Sequence, residues 1–215
     1  MKNIGIVGGI ASGKSAVVSR CRYHNYCVVD ADKIAHEVIL EPVIVEQMKV
    51  RWRVDSSGIS RLNDYYKYGS LFDQNVPKRN GIGNLVFANQ DELVFLEEIL
   101  KSKIDSKIED FIKAISPKYF NGVVLDVPLL FESGWDKSCD EIWFIDSSFD
   151  SRTRRYYLRN IASFFDVHDA IQNLELRESC QLSLEEKKKH STHFITNEDS
   201  LKELFESVDE LLLGK

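Results

Sequence analysis

The segment that most restricts how this chain can fold is a glycine-rich run near its amino terminus. The run GGIASGKS, residues 8–15, matches the pattern G-x-x-x-x-G-K-[ST]. A short apolar run at residues 3–7 precedes it and a helical segment at residues 14–24 follows, so the glycines join a buried strand to a helix. Glycines allow the backbone angles with which successive amide N–H groups surround a phosphate, and the helix amino terminus adds partial positive charge. The run therefore predicts a binding loop for nucleotide phosphates.

The residue types of this loop have separate roles in such a site. Lys14 would reach the β and γ phosphates of ATP, and the hydroxyl of Ser15 would hold a magnesium ion. The predicted cofactors are therefore ATP and Mg²⁺. The residues expected to contact the nucleotide are Gly9, Ile10, Ala11, Ser12, Gly13, Lys14, Ser15 and Ala16. The motif indicates the class of ligand but not the molecule that receives the phosphate.

Short apolar runs alternate with helical segments along the chain. This alternation is typical of an α/β protein with a parallel sheet covered on both faces, in which ligands bind at the carboxyl ends of the strands. The predicted strands after the first are residues 27–29, 123–126, 141–145 and 194–195. The predicted helices after the first are residues 33–39, 43–52, 81–87, 91–115, 151–159, 167–179 and 201–213.

Acidic side chains follow two of these strands. Asp30 and Asp32 come after residues 27–29, and either could accept the proton of an attacking hydroxyl or hold magnesium, while one could instead cap the next helix. We favour Asp32 as the catalytic residue and Asp30 as structural or metal-linked, with the reverse assignment left open. Asp126 ends another strand, where a carboxylate often supports magnesium in phosphate-transferring enzymes.

Arginines cluster in the predicted helix at residues 151–159. Phosphoryl transfer spreads negative charge over the moving group, so cations that close over it stabilise the transition state. Arg155 and Arg159 lie four residues apart, on one face of the helix, and Arg152 and Arg154 are further candidates. The alternative interpretation is a basic helix face in solvent.

The composition narrows the class of protein. The length of 215 residues suits one globular unit with small insertions, and the formal net charge of -6 argues against nucleic-acid binding. The four cysteines form no CxxC pair and no apolar run has membrane-spanning length, so we expect a cytoplasmic protein without a membrane partner. Residues 53–80 look like a loop-rich insertion, where Tyr65, Tyr66 and Tyr68 suggest packing more than ligand stacking.

Three segments together resemble signature segments of the dephospho-coenzyme A kinase family. They are GGIASGKS (residues 8–15), VVDADKIAHEV (residues 28–38) and VLDVPLLFE (residues 124–132), in the order and spacing of that family. The first is shared by many nucleotide enzymes, whereas the second and third are more specific. Weaker matches extend the resemblance over nearly the whole chain, at Arg79, residues 83–89, Arg155, Arg159, Arg177, Gln181, Lys187 and residues 194–197.

The resemblance implies transfer of the γ-phosphate of ATP to the ribose 3′-hydroxyl of dephospho-coenzyme A, a small-molecule substrate. It implies a three-layer α/β/α P-loop kinase fold with its core at about residues 1–37, 121–148 and 192–215. A helical substrate-binding insertion would take about residues 38–120, and a helical lid about residues 149–191. By the same resemblance Asp32 is the base, Arg155 and Arg159 are lid arginines, and Asn197 lies near adenine. The implied substrate-binding residues are Asp32, His36, Arg79, Asp126, Pro128 and Leu129.

The chain departs from the family pattern at a few positions. The family usually has Gly where Ala11 stands, Ser or Thr where Ala16 stands, and Leu-His-Pro where this chain has Leu100-Lys101-Ser102. Without that proline, nothing forces a break in the helix at this point. Because the largest departures lie on the acceptor side, two alternatives stay open. One is a related P-loop kinase that acts on a nucleoside or nucleotide, and the other is a nucleotide-binding protein without catalysis.

Overall fold

A computed structural model describes residues 1–62, 67–161 and 166–214 of the chain. The chain divides into two compact units, one formed by Met1–Asp30 with Ile112–Lys215 and the other by Ala31–Phe111. In chain order the strands are β1 (Lys2–Gly8), β2 (Tyr26–Asp30), β3 (Phe72–Asp73), β4 (Val76–Pro77), β5 (Gly122–Asp126), β6 (Glu141–Asp146) and β7 (His193–Thr196).

Most helices lie where the apolar periodicity predicts them. The helices are α1 (Lys14–Tyr23), α2 (Ala31–Val38), α3 (Pro42–Arg51), α4 (Arg79–Ala88), α5 (Gln90–Ala114), α6 (Leu130–Ser133), α7 (Phe149–Arg159), α8 (Val167–Ser179), α9 (Leu184–Lys189) and α10 (Leu201–Leu213). A 3₁₀ helix at Trp135–Ser138 follows α6. The predictions missed α6, α9 and this 3₁₀ helix, because elements of four to six residues are too short to show a helical period.

The first unit is built on a five-stranded sheet in the order β2-β5-β1-β6-β7. Every neighbouring pair in the sheet is parallel, so all five strands end at the same edge. β1 lies in the centre, between β5 and β6, and its carboxyl end leads directly into the glycine-rich loop. The central position explains why its sequence is apolar without alternation.

Helices cover both faces of this sheet. On one face, α1 and α10 pack through Val17, Val18, Leu204 and Val208 onto a buried cluster of strand side chains. On the other face, Leu130 of α6 lies so close to Gly5 that a Cβ there would be 2.7 Å from its side chain. The three-layer α/β/α class predicted from the sequence is therefore confirmed.

The second unit is helical and has its own core. The buried side chains of α2 to α5, of β3 and of the residues next to these elements pack together, and Met48, Trp52, Leu71 and Leu85 among them are fully buried. β3 and β4 form a two-stranded antiparallel sheet inside the predicted insertion. Tyr68 packs against this core, and its hydroxyl accepts a hydrogen bond from Asn89, as the packing interpretation predicts. Tyr65 and Tyr66 lie outside the described residues.

Helix α5 is continuous through the position where the family pattern has a proline. It runs without interruption from Gln90 to Ala114, which confirms that Lys101 and Ser102 do not break it. Lys101 is exposed and pairs with Asp105, one turn further on, at 3.0 Å. Across residues 1–62, 67–161 and 166–214, no helix combines the length and the apolar character needed to cross a lipid bilayer.

Candidate active site

The glycine-rich loop curls between the end of β1 and the start of α1. Gly8 and Gly13 have φ values of 153° and 106°, and Ala11 has a φ of 60°. Positive φ values at these three positions bend the loop, and such bends can turn backbone amides towards one centre to make a concave anion site. An alanine tolerates this region at a cost of about 1–2 kcal/mol, so Ala11 keeps the loop shape that glycine would adopt without strain.

Asn197 supports the loop from behind. This residue follows β7 and is buried, and its side-chain amide donates a hydrogen bond to the backbone oxygen of Ser12 at 2.6 Å. A Cβ at Gly13 would lie 2.1 Å from that amide nitrogen, so only glycine allows the approach. The predicted contact of Asn197 with adenine stays a prediction, because the described contacts place its amide against the loop.

Lys14 is held in place by the loop that precedes it. Its ammonium donates to the backbone oxygens of Gly8 at 2.9 Å and Gly9 at 2.8 Å. Burial, and after it the positive charge of Lys187, lower the pKa of Lys14 to about 8, while Asp126 and Glu178 act in the opposite sense. A bound phosphate would raise this pKa again, because an anion stabilises the charged form.

An ion pair between α7 and α8 lies against the same loop. Glu178 accepts hydrogen bonds from the backbone amide of Ile10, at 2.9 Å, and from the guanidinium of Arg152. Arg152 is buried, stacks close to Gly9, and donates to the backbone oxygen of Ser147. The charge of Arg152 is paired with Glu178, which in turn holds the backbone of Ile10. Arg152 therefore supports the loop in this structure. Nothing in the local sequence indicates this pairing.

A cavity of about 340 Å³ opens in front of the loop. Its walls are residues 10–15 with Pro128, Arg155, Arg159 and Gln181. Arg155 donates to the hydroxyl of Ser147 and to the backbone oxygen of Asn197, both at 2.8 Å and both neutral groups. In the described part of the chain, Arg159 forms no hydrogen bond or ion pair. The structure thus brings the loop and the two predicted lid arginines to one cavity.

Carboxylates lie at the edge of the sheet where β2 and β5 end. Asp30 and Asp126 are partners in the parallel register of these strands, and Asp126 is half-buried. Ser15 is exposed at the start of α1 and lines the cavity. One hydroxyl and one or two carboxylates suit Mg²⁺, which takes oxygen ligands and keeps several waters. Within the described ranges no three or more histidine, cysteine, aspartate or glutamate residues form a group that could hold a metal ion.

The comparison with protein families decides which kind of enzyme this site belongs to. The family model described as dephospho-CoA kinase matches residues 2–203, nearly the entire chain.

The chain belongs to the dephospho-CoA kinase family.

Relatives named dephospho-CoA kinase agree with this assignment over three quarters or more of their own lengths, and a solved structure shares the fold. A dephospho-CoA kinase from Fusobacterium nucleatum is 35% identical over 210 residues, which are 96% of this chain and 94% of that protein. A dephospho-CoA kinase from Symbiobacterium thermophilum is 33% identical over 201 residues, 94% of this chain and 76% of that protein. The crystal structure of TT1252 from Thermus thermophilus aligns with a TM-score of 0.74 at 25% identity, covering 99% of this chain and 97% of that one.

The remaining predicted residues of the dephospho-CoA kinase site are divided between the two units. Asp32 lies in the first turn of α2 and His36 one turn later, and both side chains are exposed. Arg79 begins α4 and is exposed. Pro128 and Leu129, which follow β5 in the first unit, are exposed as well. Exposure leaves all five side chains accessible to a ligand, and their contacts with an acceptor stay predictions.

Proposed function

We propose that this protein transfers the γ-phosphate of ATP to the ribose 3′-hydroxyl of dephospho-coenzyme A, giving coenzyme A and ADP. The observation that carries the proposal is the match of the dephospho-CoA kinase family model to residues 2–203. The phosphate-binding loop and the cavity beside it supply the nucleotide half of the reaction. This is the last step in the synthesis of coenzyme A.

The chemistry divides among a small number of side chains. The acceptor oxygen attacks the γ-phosphorus, the bond from that phosphorus to the β–γ bridging oxygen breaks, and ADP leaves. Asp32 takes the proton of the attacking hydroxyl. Lys14, Arg155 and Arg159 stabilise the negative charge that develops on the moving phosphoryl group.

Magnesium completes the nucleotide site in this proposal. Ser15 and Asp126 would hold the ion, which supplies positive charge to the β and γ phosphates when bound. The exposed hydroxyl of Ser15 in the cavity wall and the position of Asp126 at the end of β5 support this assignment. α7, α8 and α9 lie within about residues 149–191 and would form the lid, and the two arginines that it would carry to the phosphates, Arg155 and Arg159, lie on α7.

The test is an assay of ADP release by the purified protein with ATP, magnesium and one acceptor at a time. We expect release that depends on dephospho-coenzyme A, with adenosine and AMP inactive. Stimulation by adenosine or AMP instead would favour a related kinase with another acceptor. Absence of turnover with every acceptor, while ATP still binds, would favour the non-catalytic alternative.

Two matched variants in the same assay distinguish which of the two aspartates, Asp30 or Asp32, acts as the base. Asp32→Asn should lose turnover by at least about a hundredfold, the usual contribution of a general base, and should keep ATP binding. Asp30→Asn, two residues away, is the control that should retain far more activity. The opposite order of effects would assign the base to Asp30.

A further inference from the structure

A second lysine lies buried beside the phosphate-binding cavity. Lys187 belongs to α9 and is 3% exposed. Its ammonium donates a hydrogen bond to the side-chain oxygen of Gln181 at 2.8 Å. Gln181 lines the cavity together with residues 10–15. The ammonium of Lys187 therefore lies within hydrogen-bond distance of a residue in the cavity wall.

The charge of this ammonium is poorly compensated. In the described parts of the chain Lys187 forms no ion pair. One of the three N–H groups of its ammonium donates a hydrogen bond to the neutral side-chain amide of Gln181. Burial of an ammonium without an anionic partner costs free energy. Burial accordingly lowers the pKa of Lys187, although Glu132 and Glu178 raise it from beyond ion-pair distance. The other two N–H donors of Lys187 have no partner among the described residues.

Lys187 also lies close enough to Lys14 for the two charges to repel each other. After burial, Lys187 is the largest cause of the lowered pKa of Lys14. Arg155 and Arg159 add two more cations to the same cavity, and neither forms an ion pair within the described residues. An anion with several negative charges would relieve the repulsion among these four groups.

We propose that Lys187 binds the phosphate chain of the nucleotide, with Gln181 orienting its ammonium. Charge-assisted hydrogen bonds from a buried ammonium to phosphate oxygens are stronger than those from a solvated one. Lys187 would thus act beside Lys14 on the phosphates. The inference rests on the proposed function only in taking ATP as the nucleotide.

The experiment measures the affinity of the protein for AMP-PNP, a non-hydrolysable ATP analogue, by calorimetry with magnesium and without any acceptor. Lys187→Met should weaken binding by about tenfold to a hundredfold, the factor that hydrogen bonds to charged groups typically contribute. Lys187→Arg should recover at least half of the change in the logarithm of the dissociation constant that Lys187→Met causes. The control is Lys188→Met on the same helix, which removes an exposed lysine paired with Asp146 and should leave the affinity within about twofold.

The melting temperature of the nucleotide-free protein separates a phosphate-binding role from a purely structural one. Because Lys187→Met removes an under-compensated buried charge, we expect its melting temperature to equal or exceed that of the wild type. Unchanged affinity in Lys187→Met overturns the proposal, and so does a loss of affinity with a lowered melting temperature that Lys187→Arg does not restore. Because no acceptor is present, a failure of the proposed acceptor chemistry would leave this result untouched.

Discussion

Side chains outside the phosphate-binding loop hold parts of its backbone in place. Asn197 holds the backbone of Ser12, and Arg152 with Glu178 holds the backbone of Ile10. Each contact fixes one peptide group whose direction sets where the amides point. The loop is therefore preorganised for phosphate by side chains that do not line the cavity.

Gly13→Ala tests this support at one position. A Cβ would enter the space occupied by the amide of Asn197, and the φ of 106° is strained for any residue with a side chain. We expect nucleotide binding to be lost, because the loop must move to relieve the overlap. The buried carbonyl of Ser12 would also lose its hydrogen bond from Asn197. The free energy of unfolding should therefore fall by the cost of backbone strain and by about 1–3 kcal/mol in addition.

Gly134→Ala is the matched control for backbone strain. Gly134 has a φ of 83°, and a Cβ there would meet no atom within 4 Å. We expect it to cost about 1–2 kcal/mol, with nucleotide binding intact. Both variants are measured by urea unfolding and calorimetry, and equal effects of the two would show that Asn197 does not constrain the loop.

The local pattern of the sequence predicts some site residues and misses others for a physical reason. Lys14 and Ser15 are predictable because their roles follow from their places within eight consecutive residues. The pair of Arg152 with Glu178 joins residues 26 apart, and the contact of Asn197 with the loop spans 185. Such pairings depend on how helices pack, and no local pattern specifies them.

At the scale of elements, length decides which helices the sequence predicts. α5 and α10 are 25 and 13 residues long, so their apolar stripes repeat over several turns and indicate both helices clearly. α6 has four residues and α9 six, too few for a repeat. α9 nevertheless carries Lys187, so the helix that holds this buried lysine is one that periodicity misses.

Ser102→Pro tests the continuity of α5. Ser102 is exposed in the interior of the helix, so proline would remove a backbone hydrogen bond and clash with the preceding turn without disturbing side-chain packing. We expect the free energy of unfolding to fall by about 3 kcal/mol or more. Ser102→Ala, the control, should be neutral or slightly stabilising, because alanine has the highest helix propensity. A loss under about 1 kcal/mol for the proline variant would mean that the helix tolerates a break here.

At the scale of the whole molecule, the net charge does not reveal the positive charge of the site. The formal net charge is -6, yet Lys14, Lys187, Arg155 and Arg159 gather around one cavity. The net charge argues against a surface for nucleic acid, but it could not reveal a local concentration of cations, since that depends on the fold. Alternating strands and helices, by contrast, were sufficient to predict the parallel sheet.

The two compact units each have a hydrophobic core and a tryptophan reporter. Trp52 is fully buried in the core of Ala31–Phe111, whereas Trp143 and Trp135 are buried in the unit that contains the phosphate-binding loop. Trp52→Phe leaves the reporters of the loop unit, and the double variant Trp135→Phe with Trp143→Phe leaves Trp52. Urea unfolding followed by fluorescence can therefore report on each unit separately.

A nucleotide that contacts the loop and the arginines of α7 binds only elements of the first unit, and it should stabilise that unit more. At an ADP concentration one hundred times the dissociation constant, the transition seen by Trp135 and Trp143 should gain about 2.7 kcal/mol. The transition seen by Trp52 should gain less, because that core has no part in the nucleotide site. Coincident transitions that shift equally would show instead that both cores unfold as one cooperative structure.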